Sequence, residues 1–171
     1  MITLRKLKLK DAVGMLEWMH DEELMKNFRF NGIQMTREKA EAFIRHAQND
    51  DVNKHYAVVS VEDEYLGTIS LKNIDFENRN GEYAISMRQR AIGTGIALEA
   101  TMQLLDVAFR ELGLKKVYLN VLADNKRAVR FYEKAGFVKE GEFKKHVYSN
   151  GRLQDLCWFA IFNGGLLNEE I

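Results

Sequence analysis

Residues 115–137, KKVYLNVLADNKRAVRFYEKAGF, constrain the fold more than any other stretch of this chain. Positions 117–122 predict a strand, because β-branched, aromatic and aliphatic residues crowd them. The run ends at Asp124-Asn125, two good N-cap types, and a helix is expected from there to a stop at Gly136-Phe137. On that helix Asn125 and Tyr132 are seven residues apart, which at about 3.6 residues per turn puts them on one face, roughly 10 Å apart. Ala128 lies between them, so the face is polar at both ends and low in the middle. A slim ligand could lie along it. The same residues also suit an ordinary role, with Asn125 as a helix cap and Tyr132, Ala128, Phe131 and Ala135 as a core stripe.

A second segment supplies what such a ligand needs. Residues 86–97, SMRQRAIGTGIA, join an expected strand to a long helix through a turn carrying Gly93 and Gly95. Glycine lets backbone approach a ligand closely, and the unpaired N–H groups of a helix start attract phosphate. The helix dipole adds roughly 0.3–1 kcal/mol for an anion there. A tight turn alone would use two glycines; two glycines opening a largely apolar helix favour a phosphate cradle.

Together these segments resemble the GNAT superfamily of acetyl-CoA-dependent acetyltransferases, over nearly the whole chain. The family pattern Asn-x-x-Ala-x-x-x-Tyr-x-x-x-Gly-Phe is met unbroken by Asn125, Ala128, Tyr132, Gly136 and Phe137. Its pyrophosphate turn, [Gln/Arg]-x-x-Gly-x-[Gly/Ala], fits in two registers. Arg90 with Gly93 and Gly95 satisfies it literally. The usual helix start, Gly-x-Gly-[Ile/Tyr]-[Gly/Ala], fits Gly93-Thr94-Gly95-Ile96-Ala97 better and puts Ile92 where Arg or Gln is expected. The second register is favoured. The resemblance implies acetyl-CoA as co-substrate, held by Met87, Arg88, Ile92, Gly93, Thr94, Gly95, Ile96 and Ala97 and, along the other helix, by Asn125, Ala128 and Tyr132. It also implies an α+β fold, a mixed, mostly antiparallel twisted sheet flanked by helices.

A length of 171 residues suits one domain, which the resemblance makes a single acetyltransferase domain over residues 1–171. Lys+Arg and Asp+Glu both number 25, so no basic excess points to nucleic acid or an anionic membrane. The single Cys157 leaves no intrachain disulfide and, within an alternating apolar run, is expected in the core. His20, His46, His55 and His146 lack metal-ligand spacing, and no metal is expected. The N-terminus shows no signal-peptide core and no run reaches ~18 apolar residues, so the reading is cytoplasmic. It leaves room for a homodimer.

Periodicity predicts a strand at 2–7, helices at 10–20 and 36–49 with Thr36 as the N-cap of the latter, and a short helix through Glu23-Leu24-Met25. Strands are expected at 56–61, 66–74, 82–87, 143–149 and 152–162, with Asn80-Gly81 and Asn150-Gly151 as turns. A helix should fill about 96–112 and end at Gly113. Mostly hairpin-linked strands favour a mixed sheet over a doubly wound one.

Strand alternation sets Glu82, Ala84 and Ser86 on one face. An acidic residue about ten before the glycine turn resembles the glutamate many relatives use as general base; a solvated strand-end carboxylate fits equally. Trp18, His20 and Glu22, with Asp21, fall where the family builds its acceptor pocket. An alkyl ammonium has a pKa roughly three units above neutrality, so it must lose a proton before attack, and Glu82 is the candidate acceptor. A free backbone N–H near Met87 would face the oxyanion, and Tyr132 would protonate the leaving thiolate. The expected function is acetyl transfer to a primary amine by direct attack. The acceptor leans toward an amino sugar, nucleotide-linked, or else a polyamine. A ribosomal-protein N-terminus is an alternative, and a non-catalytic acyl-CoA-binding module is the rival of another class.

Overall fold

The computed structural model describes residues 1–28 and 30–164. Its centre is a seven-stranded sheet in the order β1-β2-β3-β4-β5-β7-β6. The strands are β1 (Thr3–Lys6), β2 (Lys54–Val59), β3 (Tyr65–Asp75), β4 (Asn80–Met87), β5 (Lys116–Leu122), β6 (Val138–Ser149) and β7 (Arg152–Phe162). All neighbours run antiparallel except β4 and β5. Helices α1 (Ala12–Met19), α2 (Glu22–Met25) and α3 (Arg37–Ala47) precede β2. Helix α4 (Ile96–Asp106) carries the chain from β4 to the parallel β5, and α5 (Lys126–Lys134) follows β5. This is the expected mixed α+β sheet with flanking helices.

Strand alternation divides the apolar residues between two faces. On one, Val58, Ile69, Leu71, Tyr83, Val117 and Leu119 pack with Ala100 and Leu104 of α4, and Ala128 and Tyr132 of α5 lie against them. On the other, Ala57, Val59 and Tyr65 pack with Met15 and Trp18 of α1 and Ile44 of α3. Fully buried Leu104 and Ile44, both 0 % exposed, each contribute roughly 1.5–3 kcal/mol. Thr36 caps α3 as expected, its Oγ1 accepting from the Lys39 N–H at 3.3 Å. Thr36→Ala should cost about 1 kcal/mol and lower Tm by roughly 2–4 °C in a thermal melt. An unchanged Tm would mean that water serves Lys39 as well as the threonine does.

The structure corrects three expected boundaries. Asn80-Gly81 is not a turn: both residues lie in β4, and residues 76–79 make the turn, with Arg79 at a φ of +53°. Asp75 holds that turn through the backbone N–H and side-chain amide of Asn78, at 2.8 and 2.7 Å. Gly81 is small for packing reasons, since a Cβ there would meet Leu114 at 3.3 Å. The sixth strand starts at Val138 rather than 143. Its polar residues suit a strand at the edge of the sheet, where one side faces water. Finally, α4 gives way to a π turn at Val107–Glu111 before Gly113 ends it in the left-handed region.

Candidate active site

The two parallel strands pair only at Asn80–Lys116, Gly81–Val117 and Glu82–Tyr118. Beyond Glu82, β4 stays with β3 as far as Met87, while β5 stays with β7 as far as Leu122. The strands therefore part and leave a gap. Along β4 from Tyr83 to Met87, backbone groups turned away from β3 have no strand partner, which in a ladder is every second residue. The edge near Met87, expected to face an oxyanion, lies on this gap.

At the far end of β4 a single 3₁₀ turn, Gln89–Ala91, leads to Gly93 and Gly95, whose φ values are +81° and +88°. A side chain in that left-handed region costs about 1–2 kcal/mol. A Cβ on either residue would meet nothing within 4 Å, so the backbone path alone requires glycine there. The N–H groups of Gly93, Thr94, Gly95 and Ala97 find no acceptor among the described residues, and that of Ile96 makes only a 3.4 Å contact with Thr94 Oγ1. Thr94 Oγ1 donates to the Ala91 carbonyl at 2.7 Å and fixes the loop. Unmet donors at the positive end of α4, under open space, fit a diphosphate.

Side chains beside this turn are largely committed elsewhere. Ile92 packs against the core. Arg88 bonds Glu17, Glu64 and the Tyr65 carbonyl, and its N–H donates to Leu66, so its guanidinium is not among the groups the turn presents. Arg90, half exposed, pairs with Glu64 at the surface. The free donors at this turn are backbone N–H groups.

Helix α5 delivers Asn125 and Tyr132 as its spacing requires. Asn125 Oδ1 accepts from the Ala128 N–H at 3.2 Å, a helix cap that leaves the side-chain NH₂ available. Tyr132 packs edge-on to Tyr83 of β4, 5.8 Å between centroids, and lies 6.5 Å from Phe159 of β7. Since β7 neighbours β5, these contacts set the Tyr132 ring across the gap between β4 and β5. Burial pushes its hydroxyl pKa up to about 12, and the hydroxyl makes no hydrogen bond among the described residues. Tyr83, buried below it, donates to or accepts from Thr101 at 2.8 Å and anchors α4 to the same strand.

The opposite face of the gap is polar. Glu82 accepts from Lys72 Nζ at 3.2 Å and from Asn73 Nδ2 at 2.9 Å, one donor on each oxygen, and further lone pairs stay free. Its negative charge reaches Tyr118, whose hydroxyl is raised by burial and then by Glu82 and Asp75. Beside it, Asn80, Lys116, Tyr118, Glu140 and Trp158 line a groove of about 300 Å³.

The three other residues expected at the acceptor pocket are dispersed. Trp18 is 4 % exposed and reaches the site through a chain: its indole N–H donates to the Tyr65 hydroxyl at 3.1 Å, which lies 2.7 Å from Thr68 Oγ1, opposite Ser86. His20 is exposed and its Nε2 lies 2.8 Å from the Met35 carbonyl. Glu22 is exposed in the first turn of α2. No described hydrogen bond or ring contact joins His20 or Glu22 to Glu82. Residues the motifs missed are Thr68 and Ser70 on β3, which share the face of Glu82. Their signal was the alternation of Thr68, Ser70 and Lys72 with Ile69 and Leu71. Among the described residues no group of three His, Cys, Asp or Glu side chains gathers to hold a metal.

A gapped sheet with a backbone cradle at one end and a tyrosine over the gap defines an acyl-CoA-dependent transferase. Residues 1–138 match the model of the acetyltransferase (GNAT) domain family, and the chain belongs to that family of N-acetyltransferases. It is 28 % identical over 169 residues to the spermidine N(1)-acetyltransferase of Vibrio cholerae, covering 99 % of this chain and 97 % of that one. It is 26 % identical over 169 residues to the spermidine N(1)-acetyltransferase of Escherichia coli K12, with 99 % and 90 % covered. The crystal structure of spermidine N-acetyltransferase from Vibrio cholerae in complex with CoA and spermine superposes with a TM-score of 0.88 at 27 % identity, covering 98 % of both chains.

Proposed function

We propose that this chain transfers the acetyl group of acetyl-CoA to a primary amine of a polyamine. The observation that carries the chemistry is the gap between β4 and β5, with unmet backbone donors at its mouth and Tyr132 across it. Acetyl-CoA supplies an activated thioester; the protein's residues do the rest. The N–H groups of Gly93, Thr94, Gly95 and Ala97 hold the diphosphate, and the Asn125 side-chain amide meets the pantetheine. A free N–H of the β4 edge near Met87 stabilises the oxyanion. Glu82 draws the ammonium and accepts its hydrogen bond, directly or through water, while the proton leaves along that face. Tyr132 donates to the departing sulfur. We read residues 1–171 as one such domain, at work in the cytoplasm as a monomer or homodimer.

The sequence leaned toward an amino sugar. Similarity to spermidine acetyltransferases along almost the whole chain favours the polyamine, and so does the groove beside Glu82. There the rings of Tyr118 and Trp158 suit the remaining carbons of a long cation, while Glu140 is paired with Lys116 at 2.8 Å and Glu82 supplies the open charge. Initial rates of CoA thiol release test this across spermidine, spermine, amino-sugar nucleotides and N-terminal peptides. Spermidine should exceed an amino-sugar nucleotide in kcat/KM by about 10²-fold. The reverse order would move the acceptor to the sugar. Tight CoA binding with no turnover on any amine would leave a binding module.

A further inference from the structure

One partly buried polar pair on the acceptor face has no part in the scheme above. His55 of β2 and Ser70 of β3 are cross-strand partners, and His55 Nδ1 lies 2.7 Å from Ser70 Oγ. Ser70 is 5 % exposed. Phe43 of α3 stands edge-on to the imidazole at 4.9 Å and fixes its plane. In the next strand pair Ser70 is opposite Ala84, and Lys72 is opposite Glu82. Ala84 is the second residue of β4 beyond its last pairing with β5, so it lies on the gap. Its side chain is a single methyl, and diagonal neighbours on a sheet face have Cβ atoms roughly 7 Å apart, the span of one bridging water between Glu82 and Ser70.

We propose that the proton lost by the acceptor ammonium ends on His55, passed by Ser70. The neutral imidazole then carries its hydrogen on Nε2 and accepts at Nδ1. Ser70 Oγ takes a proton from the water beside the amine as its own hydrogen moves to His55 Nδ1. The products are a neutral amine ready to attack and an imidazolium, which releases its Nε2 proton to solvent. Nothing is oxidised or reduced. Burial favours the uncharged ring and lowers the His55 pKa, so the acceptor is neutral at pH 7. The groups facing it are Asp50, which favours the cation, and Lys72 and His46, which oppose it. Glu82, tethered to Lys72, attracts the ammonium at the start of this path. The proposal rests on transfer to an amine, whatever that amine is.

His55→Asn keeps a hydrogen-bonding atom near Nδ1 but cannot titrate, and Ser70→Ala breaks the path while sparing the imidazole. In the wild type, kcat/KM for the amine should fall as pH drops through a value below the ordinary histidine range. Each variant should lower kcat/KM at pH 7 by about 10-fold or more and erase that limb. The double variant should be no worse than either single one, with CoA affinity unchanged. Glu82→Gln should slow the reaction and keep the limb. Profiles merely scaled down, or a limb erased by Glu82→Gln alone, would overturn the relay. A second measurement needs no turnover: ¹⁵N shifts of the His55 ring in the CoA-bound protein. A hydrogen on Nε2 at neutral pH supports the relay; one on Nδ1 makes His55 the donor to Ser70 and rules it out. Failure on every amine in the presence of the Nε2 form would count against the proposed function instead.

Discussion

Replacing Tyr132 by phenylalanine should lower kcat about 10²-fold or more while leaving acetyl-CoA affinity little changed. The ring is held by Tyr83, Phe131, Phe137 and Phe159, and phenylalanine keeps those contacts. What it loses is one hydroxyl that no described residue satisfies, set across the gap where the pantetheine should end. With a pKa pushed up to about 12, that hydroxyl carries its proton throughout the neutral range. A free thiolate would take a proton from so weak an acid reluctantly. The same apolar surroundings raise the proton affinity of the thiolate as well, which narrows the mismatch. The loss should therefore be in kcat, and it should be flat with pH near neutrality because Tyr132 does not titrate there. If kcat survives under conditions where chemistry limits the rate, Tyr132 is a packing residue.

Gly95→Val should weaken CoA binding at least tenfold, about 1.4 kcal/mol, by calorimetry. The valine Cβ meets no protein atom within 4 Å, so any steric clash is with the ligand that the neighbouring N–H groups are aimed at. Backbone strain at a φ of +88° is the competing cause of damage. Gly113→Ala separates the two, because Gly113 also has a positive φ (+67°) and open space, yet lies beyond the other end of α4. That variant should lose about 1–2 kcal/mol of stability and bind CoA normally. Equal affinity for CoA in wild type and folded Gly95→Val would remove the cradle from this turn.

The glycine turn and the α5 face were legible in the sequence because each is written locally. Gly93 and Gly95 set dihedrals that no other residue adopts cheaply, and Asn125 caps the helix on which Tyr132 follows two turns later. Alternation and helical spacing likewise marked the strands and the mixed α+β class. Errors came where one residue type serves two purposes. Asn80-Gly81 has turn chemistry, but Leu114, thirty-odd residues on, needs the space that Gly81 leaves. The polar start of β6 reads as loop until its place at the sheet edge is known.

By itself the sequence determined the elements, the glycine path and the Asn125–Tyr132 face, since these depend on dihedrals, caps and periods within a few residues. Tertiary structure alone decided where β4 leaves β5, that Arg88 and Arg90 meet Glu17 and Glu64, that the Trp18 indole is buried against Tyr65, and that His55 meets Ser70. The parting of β4 from β5 and the His55–Ser70 pair depend on strand register, and the other contacts on how α1 and the turn after β4 pack against the sheet. A shift of one residue would turn His55 or Ser70 to the other face, and nothing within a single strand specifies which partner lies opposite.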